Sequence, residues 1–266
     1  MDIASLVGLL MAAVLVVYGI VAKDGFGAMM GFLDYQSALI TFGGALMGIM
    51  VTQSSIPVFI QRLKSISLIF KVQAVNELET IQTVIKLSNV ARKDGLLQLE
   101  EMANGMDDAF MKKGLLLIVD GTDPELVRSI LETELSSIEE RHKANIGFWE
   151  ALAAAGPAWG MIGTLIGLIN MLGKLQDMAT VGPNMAIALI TTLYGSLLAN
   201  WICTPVANKL KDNDGAELKQ KEILVEGLLS IQAGENPRVI EEKLKSFLAP
   251  NRREELNAGE GGEDIG

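Results

Sequence analysis

The sequence is poor in the residues that carry chemistry. One cysteine, Cys203, and one histidine, His142, stand in 266 residues. A single thiol excludes an internal disulfide, and no Cys/His cluster at ligand spacing supports a zinc site. Cys203 falls in an apolar run, where a lone thiol is most simply a small hydrophobe. His142 falls on a charged helical stretch, where a solvated side chain is the simpler reading than a proton relay. There is no nucleophile–base pair and no glycine loop suited to cradling phosphate, so no enzymatic activity is expected. Basic residues are also short: 22 Lys and Arg face 32 Asp and Glu, a formal charge of −10. Nucleic acid, which needs a basic surface, is thereby disfavoured as a partner.

Charge itself is absent from four stretches. The first, Ile3 to Ala22, is uncharged between Asp2 and Lys23, and the second falls within Tyr35 to Ile60, uncharged between Asp34 and Arg62. The third, Ala151 to Gly173, lies between Glu150 and Lys174, and the fourth lies in Val181 to Ala207. Each exceeds the ~18 residues that argue for a spanning helix. The expected fold is an all-α integral membrane protein with four transmembrane helices. The first run lacks a basic leader and is longer than the ~7–15 residues of a signal-peptide core, so it reads as a retained span. Arg62, Lys64 and Lys71 follow the second run, and Lys209, Lys211, Lys219 and Lys221 follow the fourth. The opposite loops carry only Lys23 and Lys174, which places both termini and the large middle segment in the cytoplasm.

This gives spans one and two in residues 1–55, a cytoplasmic helical domain in 56–148, and spans three and four in 149–207. Cytoplasmic helices follow in 208–248, and a Gly- and Glu-rich disordered tail in 249–266. Within the middle domain, Pro57 suits a helix opening, Asn76 with Glu79 reads as a capping box, and Gly95 ends the helix it starts. Leu96 to Ala103 and Ala109 to Val119 read as two more helices. Asp123-Pro124 reads as a cap and first helical position rather than as part of an acidic site. From Pro124 the pattern stays helical until Pro157, which is expected to kink the third span. The fourth span is expected to end near Thr204-Pro205, and Asn236-Pro237 to open a last short helix.

The third run is rich in glycine, which lipid does not demand. Gly156, Gly160, Gly163, Thr164 and Gly167 fall near one side of a helix, and Gly195 marks the small side of span four. Gly44 and Gly48 form a further small pair in span two, read as packing within the subunit. No Asp, Glu, Lys, Arg or His lies in any span, although moving a cation through a bilayer usually needs such a group. Hydroxyls are available instead on Thr164, Thr191 and Thr192. Two readings stand level for them: hard oxygen ligands along an ion path, or side chains bonded back to the carbonyl four residues earlier.

Four segments resemble one known family. They are Gly156–Leu168, which sets Pro157 and Trp159 among its glycines; Ala188–Gly195, with Thr191-Thr192; Ala91–Glu101; and Gly234–Ile240. The family is the A subunit of the bacterial flagellar stator, the MotA/PomA type, within the MotA/TolQ/ExbB proton channel superfamily. The resemblance covers nearly the whole chain. It implies a homo-oligomeric ring, five A subunits around two B subunits of MotB or PomB type, in the bacterial inner membrane. Each B subunit would supply a membrane helix bearing an ion-binding aspartate and a domain that grips peptidoglycan. Pro157 and Pro205 match the prolines that couple ion flow to movement. Arg92 and Glu100, with Lys93 and Glu101 beside them, match the charges that engage the rotor protein FliG. No cofactor is implied beyond the transported ion, proton or sodium. An ExbB/TolQ-type energiser of the envelope is disfavoured by the fourth span and by the Arg92–Glu100 match; a non-conducting membrane scaffold is the remaining rival.

Overall fold

A computed structural model of the chain describes residues 2–71 and 76–253; most of the expected tail lies outside the described residues. Every regular element among the described residues is helical. In chain order these are α1 (Ile3–Asp24), α2 (Tyr35–Val51), α3 (Ile56–Lys64), α4 (Glu77–Asp94), α5 (Gln98–Asn104), α6 (Ala109–Val119), α7 (Pro124–Leu172), α8 (Met178–Gln232) and α9 (Pro237–Lys245). Short 3-10 turns follow α1 at Phe26–Phe32 and α3 at Ser65–Phe70. Wider π turns interrupt α2 at Leu39–Gly43 and α8 at Leu198–Cys203.

The helix ends follow local chemistry. Asp2 accepts from Ser5 N at the start of α1, Asp34 from Ser37 N at α2, and Ser55 from Val58 N at α3, where Pro57 sits in the first turn. Asn76 caps α4, and Gly95, at φ 90°, closes it in a conformation that side chains avoid. Asp123 accepts from Glu125 N and Leu126 N, so the expected turn and cap form, and Asn236 caps α9 with Pro237 behind it.

The second run breaks after Val51 and Ser55 starts α3 afresh, so a helix opens at Pro57 as expected. One expectation changes. The helix of the fourth run does not stop at Thr204-Pro205 but continues to Gln232. The π turn immediately before Pro205 widens the backbone where the proline ring would crowd the carbonyl of Trp201, so the helix passes the proline instead of ending. Likewise α7 remains helical on both sides of Pro157.

Among the described residues three helices, α1, α7 and α8, are long and apolar enough to cross a membrane; α2 is a shorter apolar helix. At 1.5 Å per residue α2 reaches ~25 Å, near the lower limit for a hydrocarbon core. The apolar window of α1 has no buried residue, which suits lipid and not water.

The contacts divide the chain into two units, Met1–Val72 with His142–Asp212, and Gln73–Arg141 with Asn213–Gly266. The first is cored by Ala45, Phe59, Ile69, Phe148, Trp149, Leu152 and Cys203. The second has an aliphatic core including Ile81, Leu87, Leu99, Leu115, Leu131, Leu224, Leu228 and Leu244. There Gly227 lets Val84 approach: a Cβ at Gly227 would lie 2.6 Å from Val84 Cγ1.

Candidate functional site

In the first unit the backbones of α7 and α8 come close together, and glycine makes it possible. A Cβ on Gly195 would lie 2.5 Å from the Gly156 carbonyl oxygen, and one on Gly156 would lie 2.8 Å from that of Gly195. One on Gly160 would meet Thr191 O at 2.8 Å, and one on Gly167 would meet Asn184 O at 2.8 Å. Gly163 instead receives the Thr191 side chain, with its Cγ2 at 2.4 Å from the absent Cβ. The five glycines therefore line one helix contact. Gly44 and Gly48 of α2 face the Trp159 indole, which comes within 2.2 Å of a Cβ built on Gly44.

That contact holds the three threonines in place and separates them. Thr191 is fully buried; its hydroxyl donates to Ile187 O at 3.1 Å and lies 3.0 Å from Ala188 O. Thr164 and Thr192 sit together on the open side, their hydroxyl oxygens 2.5 Å apart. Thr164 Oγ1 also reaches Gly160 O at 3.1 Å and, across the helix contact, Ala188 O at 2.9 Å; Thr192 Oγ1 reaches Ala188 O at 3.3 Å. All three hydroxyls thus bond back one turn, but only Thr164 and Thr192 form a polar pair at a surface. Around them the surface is apolar: Met161, Leu165, Leu168 and Ile169 of α7, with Met185 and Leu189 of α8, are exposed. Pro157 is exposed on α7. Pro205 is elsewhere, in an apolar groove of about 530 Å³ shared by α1 and α8.

Two further polar contacts escaped sequence reasoning. The Tyr194 hydroxyl donates to Phe32 O at 2.6 Å and accepts from Asp34 N at 3.2 Å, while its ring stacks on Phe42 at 5.3 Å. It ties the turn between α1 and α2 to α8. Thr41 donates to Thr191 O at 3.4 Å, linking α2 to the threonine turn. The only advance signal was that Tyr194 stands in the same short run as Thr191 and Thr192.

In the second unit, Arg92 and Lys93 end α4, Gly95 turns the chain, and Glu100 and Glu101 lie in the first turn of α5. All four charges are exposed, so the structure brings them to one helix–turn–helix tip. Carboxylates suit the start of α5 and cations the end of α4 through the helix dipoles. Gln98 Nε2 donates to Glu101 Oε2 at 2.8 Å. On the α9 side, Glu226 and Glu235 raise the Lys243 pKa above that of a free lysine. Burial opposes the Lys245 charge, but the hydrogen bonds it donates to Glu241 and Glu242 more than offset this and raise its pKa as well. No group of three metal-ligating side chains occurs among the described residues.

An all-helical chain with glycine-packed apolar helices, a hydroxyl pair and no acid beside it has the parts of a channel wall. The profile of the MotA/TolQ/ExbB proton channel family matches residues 102–223. Motility protein A of Treponema pallidum is 41% identical over 96% of this chain and 97% of its own. Chemotaxis protein PomA of Vibrio alginolyticus is 36% identical over 95% of this chain and 98% of its own. The flagellar MotAB stator complex of Bacillus subtilis contains a chain with a TM-score of 0.85 and 30% identity, matched over 95% of this chain and 98% of that one. The chain belongs to the MotA/PomA motility protein family.

Proposed function

We propose that the chain is the A subunit of a flagellar stator, which with a MotB- or PomB-type subunit conducts protons or sodium ions and turns the rotor. The observation that carries this reading is the open face of α7 and α8. It offers the Thr164–Thr192 hydroxyl pair amid exposed apolar side chains and contains no ionisable group. A second helix bearing a carboxylate completes such a face: its apolar side covers Met161, Leu165 and Leu189, and its acid supplies the charge that the chain lacks. The Bacillus subtilis relative is a MotAB complex, which is the pairing required.

With α2 as a short second span, the membrane helices within residues 1–55 and 149–207 cross the inner membrane, and both termini, residues 56–148 and the segment after 207 are cytoplasmic. Five A subunits surround two B subunits. Pro157 and Pro205 couple ion passage to helix movement, and Arg92, Lys93, Glu100 and Glu101 engage FliG. The chain acts on no substrate and carries no cofactor.

Ion flux into proteoliposomes tests the reading. The chain with its B subunit is expected to conduct, and neither the chain alone nor the complex with the B-subunit aspartate changed to asparagine should do so. Conduction by the chain alone overturns it. Flux measured with sodium present or replaced by potassium, with and without a protonophore, identifies the ion.

A further inference from the structure

Between α2 and α4 lies a segment whose inner and outer faces differ in kind. Facing in, Phe59 and Ile69 are buried, Phe59 meets the Phe148 ring edge-on, and Ser65 accepts from the Trp149 indole at 2.9 Å. Facing out are Ile56 (61% exposed), Ile60 (45%) and Leu68 (38%), at four-residue spacings shared by the exposed Lys64. Lys71 is exposed just beyond. Neither lysine forms an ion pair among the described residues, and no acidic residue occurs between Asp34 and Glu77. Arg62, by contrast, is occupied by Gln53 at 2.5 Å.

Position gives this face its neighbour. The segment opens at Ile56, shortly after α2 ends at Val51. Its far end returns to the start of α1, where Phe70 O accepts from Asp2 N at 2.9 Å. It therefore runs from the end of one apolar helix to the beginning of another. Those two ends share one side of a bilayer, because α1 and α2 are joined at their opposite ends by a short turn.

We propose that α3 and its 3-10 extension form an interfacial anchor for anionic phospholipid, resting on the reading that α1 and α2 cross the membrane. Ile56, Ile60 and Leu68 enter the acyl boundary, while Lys64 and Lys71 extend their ammonium groups to phosphate. A zwitterionic surface satisfies the isoleucines alone. An anionic one also answers two basic charges that no carboxylate in the segment compensates.

The test uses the A–B complex in nanodiscs with a polarity-sensitive fluorophore on Ile60→Cys. The native Cys203 is fully buried, so labelling is directed to position 60. Emission is expected to shift to the blue when phosphatidylglycerol is added to phosphatidylcholine. Lys64→Gln with Lys71→Gln should abolish that lipid-dependent part of the shift. Equal emission in both bilayers overturns the proposal: blue in both means that the face is buried, in acyl chains or against protein, without regard to headgroup charge, and red in both means that water covers it. The same fluorophore on Leu15→Cys in α1 should be blue in every bilayer. Should it report water instead, the spanning reading fails and the anchor fails with it.

Discussion

Thr164, Thr191 and Thr192 have the same chemistry and different surroundings. Thr191 spends its hydroxyl on its own helix and its methyl group in the notch at Gly163. A hydroxyl bonded to a carbonyl one turn back contributes little beyond what the helix already has. Thr191→Val keeps the shape and is expected to cost less than about 1 kcal/mol, with swimming close to normal. Thr192→Val also keeps its shape but breaks the pair with Thr164 on the open face. Swimming should fall severalfold while the amount of complex in the membrane is unchanged; equal effects of the two substitutions would remove Thr164–Thr192 from the ion path. Gly195→Val differs from both. Its first carbon would already lie 2.5 Å from the Gly156 carbonyl oxygen, a contact that only a backbone shift relieves. Overpacking of this kind costs about 1–3 kcal/mol or more, so immunoblots of the membrane fraction should show the complex itself depleted.

Elements show which parts of the fold a sequence makes legible. Caps at Asn76, Asp123 and Asn236 were readable because a cap and the N–H it accepts from are two or three residues apart. The glycine stripes were readable as places of close approach, but their occupants were not, since Trp159 fills Gly44 and Gly48 from more than a hundred residues away. Tyr194 was invisible for the same reason: its partners are 160 and 162 residues distant. Pro205 misled because proline is a reliable helix end in water, whereas an apolar helix with a π turn beside it can absorb the lost hydrogen bond. One turn beyond Pro205, Lys209 Nζ lies 2.7 Å from Asp2 Oδ2, joining α1 to α8. The Lys209 hydrogen bond, helped by Ser5, lowers the Asp2 pKa from 3.8 to about 2. A depressed carboxyl stabilises the folded form above the unfolded pKa and loses that contribution as pH falls through the folded one. The ion pair should therefore survive at pH values that protonate an ordinary aspartate. Infrared titration of isotope-labelled carboxylates should find Asp2 ionised at pH 3 in the wild type and largely protonated there in Lys209→Gln. An unshifted titration in that variant would show that Lys209 does not hold Asp2.

At the scale of the whole molecule, the proposed work is divided between the two units: ion passage at the glycine-packed helices of the first, rotor contact at the charged tip of the second. The tip is a surface with little to lose. Arg92, Lys93 and Glu100 have no ion-pair partner among the described residues, and exposed charges contribute little to folding in any case. The aliphatic core beneath them, with Leu87 and Leu99 fully buried, does not depend on which sign the surface carries. Charge pairing across an interface, however, is sensitive to sign, since opposed like charges cost several kcal/mol where an attractive pair once stood. Arg92→Glu is therefore expected to leave melting temperature, complex assembly and ion flux unchanged, and to abolish or sharply reduce torque on a tethered cell. Loss of assembly would make Arg92 a structural residue. Loss of flux with assembly intact would mean that the tip reaches the ion path, contrary to the division of labour proposed here. Partial rescue of torque by a compensating charge change on the rotor protein, and not by one on the B subunit, identifies the surface that Arg92 meets.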